Sequence, residues 1–245
     1  MAKLFEGARK NWKKVLAFIV FSIIFWFIQF WYQLNIVGAE SPQHAMIRSL
    51  AFSGATFIAI ALLSSSVFKF FPKTAKYVDY RRDFGVMGFV FGMLHYLGVV
   101  SVLFEGNPMN VFAFAFSEPI DPFLKPIIFA LLAYPIFFLM FLTSTDWAVE
   151  KLGKKWKALH RLVYFAFMFL VFHFLLINPP AIMNLAGYLL MAISFLALAG
   201  ELYWFIQTIL KKRASTLGIA IGILIIFLYL AIGYFAWIMP KVAAG

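Results

Sequence analysis

Four histidines and no cysteine confine the metal chemistry open to this 245-residue chain. Without thiols there are no disulfides, iron–sulfur clusters, thiolate metal sites or covalent c-type haem attachment, and non-covalent, imidazole-ligated chemistry is what remains. His95 and His173 lie inside long apolar runs, where an ionisable group is costly and by default marks a functional site with a partner to be found. His95 follows Arg82 by thirteen residues, His173 follows His160 by thirteen, and Arg82 and His160 each mark the cationic edge of their run. At a rise of about 1.5 Å per helical residue, both imidazoles sit roughly 20 Å in from the same edge. Two imidazoles at one depth on different helices suit axial ligation of a single b-type haem, one ring nitrogen on each side of the iron.

The surrounding residues extend that site. Gly85, Gly88, Gly92 and His95 recur at spacings of three and four and share one helix face. Gly88 and Gly92 there allow close helix packing and let a flat macrocycle approach the backbone. His160 lies about 140° around an ideal helix from His173 unless it precedes the first regular turn. It shares its depth with Arg82, so a second, inner haem there would need an unusual sixth ligand or water. Arg81, Arg82, His160 and Arg161 together suit haem propionates, a quinone head group or an FMN-type flavin phosphate, all anchored by charge-assisted hydrogen bonds. His44, in a short connection near Glu40 and Arg48, reads as solvated surface. Glu201, within an apolar run, has three readings open: it snorkels, bonds another helix or carries protons.

The elements that must hold these residues are membrane helices. The chain is 64% hydrophobic and 13% charged, far from soluble-domain composition. The expected fold is an all-α, polytopic helical bundle. Apolar runs at 15–37, 45–71, 84–104, 126–144, 160–178, 184–209 and 217–239 each suffice to cross about 30 Å of hydrocarbon. A cytoplasmic segment 1–14, a membrane domain 15–239 and a tail 240–245 follow, with the first run read as a retained helix. If all seven runs span, 18 of the 21 basic residues share one side, and Arg48, Lys125 and Lys241 are the exceptions. The positive-inside rule then puts the N-terminus inside and the C-terminus outside. The net charge of +11 thus marks orientation, and no nucleic-acid partner is implied; membrane lipids are the surroundings. The connection from Phe104 to Lys125 carries Glu105, Glu118, Asp121 and three prolines and is expected to be structured over the outer mouth.

Arg81-Arg82-x-x-Gly85 followed by His95, Leu142-Thr143-Ser144, Leu152-Gly153, Trp156, Leu159-His160-Arg161-Leu162-Val163-Tyr164 and His173 together resemble the ferric reductase-like transmembrane domain over about residues 45–210. Within that family the similarity is to the haem-binding membrane subunits of bacterial methionine sulfoxide reductase systems. The resemblance implies a six-helix core that takes electrons from a cytoplasmic flavin reductase or quinol and passes them to an acceptor outside, in a bacterial or archaeal cytoplasmic membrane. It implies an electron-transfer subunit rather than a self-contained enzyme, with His95 and His173 as principal haem ligands and His160 as the third histidine, associated with a second haem. A seventh helix, with Gly218 and Gly222 spaced for packing or dimerisation, is expected in addition to that core, and the short inner connections are expected to hold no NADPH- or FAD-binding domain. A ferric or cupric reductase is the alternative within redox chemistry. A non-redox seven-helix transporter or a structural membrane subunit is the alternative outside it, although Pro135 is the main candidate helix break.

Overall fold

The computed structural model describes residues 2–117, 126–177, 184–210, 220, 222–223 and 226–227, with side chains from Trp12 onward. Most of the expected seventh helix, the outer-loop stretch 118–125, the basic stretch 211–213 and the tail 240–245 lie outside the described residues. Nine α-helices cover the three long described stretches: α1 (Ala2–Asn35), α2 (Pro42–Phe70), α3 (Val78–Leu103), α4 (Pro108–Phe116), α5 (Pro126–Leu142), α6 (Asp146–Leu152), α7 (Lys154–His160), α8 (Val163–Ile177) and α9 (Leu185–Leu210). The protein is an all-α, polytopic membrane bundle. Five described helical stretches are long and apolar enough to cross a membrane, or six when α5 and α6, bent by 95° at residues 143–145, count as one broken span.

Local chemistry sets the breaks. Ser41 caps α2 by accepting the His44 N–H, with Pro42 in the first turn, where its missing donor costs nothing. Pro72 ends α2 and opens a 3₁₀ turn, Pro72–Tyr77, that leads into α3. Asn107 caps α4 through its side chain, and α4 folds back so that Phe114 meets Phe104. Thr145 caps α6, and Gly153, at φ +50° and ψ −123°, takes a positive-φ conformation open to glycine that separates α6 from α7.

The hub is α2, whose apolar window is 72% buried against 6% for α1. Helices in lipid gain little from the hydrophobic effect between themselves, so close approach through small residues decides their contacts. A Cβ on Gly54 would lie 3.0 Å from the Gly88 carbonyl, and one on Gly88 would lie 3.1 Å from the Gly54 carbonyl, so α2 and α3 touch backbone to backbone. On another side of α2, Ser66 occupies the space that a Gly200 side chain would need on α9. Phe57 of α2 meets Phe18 and Phe25 of α1 and Phe84 and Phe91 of α3. Phe52 meets Phe174 of α8 edge-on at 5.0 Å. The few described residues of the last run touch the same bundle: Gly222 abuts the Phe205 ring, and Phe227 meets Phe172.

Candidate functional site

His95 on α3 and His173 on α8 meet inside the bundle with ring centroids 6.5 Å apart. Each ring is fixed by a helix other than its own. His95 Nδ1 lies 3.0 Å from the Ile47 carbonyl of α2, and His173 Nδ1 lies 2.8 Å from the Pro126 carbonyl that opens α5. A carbonyl oxygen can only accept, so both Nδ1 atoms carry the hydrogen and each Nε2 keeps its lone pair. Hydrogen bonding at the far ring nitrogen is how ligand histidines are oriented and made more basic.

With metal–nitrogen bonds of about 2 Å, an ion centred between two imidazoles holds the ring centres roughly 6 Å apart. The observed separation fits. Among the described residues no group of three or more His, Cys, Asp or Glu side chains could hold a metal, so a bare ion would find only two ligands here. An iron that brings its own equatorial ligands in a macrocycle needs no more than two. Gly92 precedes His95 by one turn, and a Cβ on it would meet nothing within 4 Å, which leaves clearance for a flat group beside the ligand. Gly85 is likewise open, whereas Gly88 is taken up by α2.

His160 does not join the pair. It ends α7, and α8 starts only at Val163, so no unbroken helical count runs from it to His173. Its ring stacks on Trp156 at 3.9 Å, and its Nε2 lies 3.1 Å from Thr143 Oγ1. The Thr143 hydroxyl donates to the Leu139 carbonyl at 2.8 Å, which leaves its lone pairs to accept from His160. Trp156 Nε1 donates to the Thr143 carbonyl at 2.8 Å and closes the knot. The spacing of Trp156 and His160, four residues apart on one helix, is the signal by which their contact can be read from sequence.

The remaining candidates separate at the same end of the bundle. Arg82 forms an ion pair with Asp146 of α6 rather than turning to His160. Arg81 and Arg161 are exposed; Arg81 lies near enough for its charge to act on His160 and Tyr164, and Arg161 on Tyr164. Of the three readings for Glu201, the structure selects bonding to other helices. Its carboxylate accepts from Lys69 at 3.0 and 3.1 Å and from Ser66 at 3.3 Å, both on α2, and interacts with the Tyr164 hydroxyl of α8. His44 is part of the α2 cap, its Nδ1 2.9 Å from Ser41 Oγ. The carbonyls of Ile47 and Pro126, together with Thr143 and Asp146, are site elements that residue types alone did not single out.

The model of the family described as ferric reductase like transmembrane component matches residues 49–171, half of the chain and the stretch that holds every residue of the histidine pair and the Thr143 knot except His173. Among curated proteins, the chain is 30% identical over 100 residues to the protein-methionine-sulfoxide reductase heme-binding subunit MsrQ of Brucella anthropi, covering 41% of this chain and 43% of that protein. To the MsrQ of Brucella ovis it is 32% identical over 97 residues, covering 40% and 41%. The chain thus spans about two fifths of the length of the curated relatives it matches. No solved structure matches it.

Proposed function

The chain belongs to the ferric reductase like transmembrane component family, and from that premise we propose that it is a b-type haem protein that passes electrons across the membrane. The observation that carries the reading is the His95–His173 pair, with centroids 6.5 Å apart and both Nδ1 atoms engaged by backbone carbonyls. When bound there, haem supplies one-electron chemistry between ferrous and ferric iron. His95 and His173 would hold it, with their rings oriented by the Ile47 and Pro126 carbonyls of α2 and α5, and Gly92 would give it room. The apolar bundle excludes water and, with the hydrogen bonds to the imidazoles, sets the potential.

Arg81, Arg82, His160 and Arg161 mark the cytoplasmic end, where a flavin reductase or quinol delivers electrons and where the exposed Arg81 and Arg161 hold an FMN phosphate or a quinone head group; a single haem roughly 20 Å deeper keeps its propionates out of their reach. The acceptor is an oxidoreductase outside the membrane. The similarity to heme-binding MsrQ subunits supports this over the metal-reductase alternative, and the histidine pair supports it over a non-redox transporter or structural subunit. Because His160 gives its Nε2 to Thr143, one haem per chain is the proposed count.

The protein purified from haem-replete membranes is expected to show a Soret band and a reducible b-type spectrum. His95→Ala and His173→Ala each abolish it, and His95→Gly regains part of it when imidazole is added. Two variants with the parent spectrum would rule the assignment out.

A further inference from the structure

We infer that a groove between α1 and α3 holds an anionic glycerophospholipid drawn from the leaflet on the basic side of the membrane. The groove measures about 480 Å³ and is lined by Lys13, Lys14, Ala17, Phe18, Phe21, Tyr80 and Phe84. Its two ends differ in chemistry. Lys13 and Lys14 stand at one end, and no carboxylate of the described residues pairs with either. At the other end the lining is aromatic. Phe18 forms the floor, buried and edge-on to Phe84 at 4.9 Å, and Phe21, 47% exposed, forms an outer wall.

From Lys14 to Phe21 the helix advances roughly 10 Å, so the lysines hold a headgroup while the first part of an acyl chain lies along the rings. The depth agrees. Trp12 is exposed next to Lys13, Tyr80 lies on the groove wall, and the exposed Tyr77 lies 6.4 Å from Tyr80; such amphipathic rings sit at the headgroup level of a bilayer. Two ammonium groups that meet no described carboxylate, Lys13 lying 5.9 Å over the Trp12 ring, attract a phosphate at that level, and basic pockets between membrane helices on the cytoplasmic side are a recognised form of anionic headgroup site. A free phosphate would use the lysines and leave the aromatic walls without a role. The lipid uses both.

Lipid retention by the full-length protein tests the inference. The protein is equilibrated in detergent with equimolar dioleoyl-phosphatidylglycerol and dioleoyl-phosphatidylcholine, and the retained lipid is identified by native mass spectrometry. Several-fold preference for phosphatidylglycerol is expected, falling to near equality in Lys13→Gln/Lys14→Gln. Ala17→Trp keeps both lysines and fills the groove, so it should lose the bound phosphatidylglycerol as well. These three positions are exposed on α1, so the bundle core is undisturbed, and Ala17→Trp decides the question alone should the double variant fail to fold. Lys151→Gln/Lys155→Gln, elsewhere on the basic side, should keep the preference. Equal retention of the two lipids by the parent protein would overturn the inference. So would a preference that survives both groove variants, an equal loss in the distal pair, or complete displacement by millimolar inorganic phosphate.

Discussion

His160 and His173 differ in what their ring nitrogens have left to give. His173 spends Nδ1 on the Pro126 carbonyl, which is the arrangement of a ligand held from behind. His160 spends Nε2 on Thr143 and lays its ring on Trp156, which is the arrangement of a group pinning α7 to the end of α5. Hence His160→Ala should leave the pyridine haemochrome assay at about one haem per chain while lowering the melting temperature. The cost is on the order of 1 kcal/mol, for a part-buried hydrogen bond and a ring contact. Thr143→Val should act in the same direction. A fall from two haems to one in His160→Ala would show that His160 carries a second group. The depth of His95 is legible from its thirteen-residue spacing because the helical rise is unbroken from Arg82 within α3, whereas the same count from His160 to His173 crosses the break at residues 161–162 and gives only about the same depth. The carbonyls behind the two imidazoles are not legible, because every residue has one and only packing selects Ile47 and Pro126.

At the scale of elements, the glycines of α3 divide according to what stands opposite. Gly88 faces the α2 backbone, with Ile58 and Gly54 in the way of any side chain. Gly92 faces open space beside His95. Gly88→Leu should therefore force α3 from α2 and cost about 1–3 kcal/mol as an overpacked contact, lowering thermal stability with or without haem. Gly92→Leu should leave the stability of the haem-free protein within about 1 kcal/mol of the parent, helped by better helix propensity, and yet cut haem content sharply. Equal haem content in Gly92→Leu and the parent would mean that the space beside His95 is not the cofactor's. The sequence pattern marks Gly85, Gly88 and Gly92 alike, since spacing reports a shared face and not what occupies the other side. Likewise, run 126–144 reads as one straight element, and the 95° turn into α6 comes from the polar stretch Thr143-Ser144-Thr145, in which Thr145 caps the next helix. Glu201 was undecided for the same reason: Lys69 and Ser66 are more than 130 residues away in sequence and adjacent only once α2 and α9 pack.

For the whole molecule, the meeting of His95 and His173 constrains topology. Both follow a cationic edge by thirteen residues, so α3 and α8 meet at equal depth only if they cross in the same direction, and α5 must return between them. The Arg82–Asp146 ion pair places α6 beside the start of α3, which is where a chain that has crossed back would be. Although a largely exposed pair adds little stability, its position fixes a side. A reporter enzyme active only outside the cytoplasm should then be inactive when fused after Gly153, active after Gly38 and active after Gln43. Fused at the C-terminus, it should be active if the run at 217–239 crosses, as the 18-to-3 division of basic residues requires. Activity after Gly153 would mean that α5 does not span, and the common depth of the two histidines would then need another explanation.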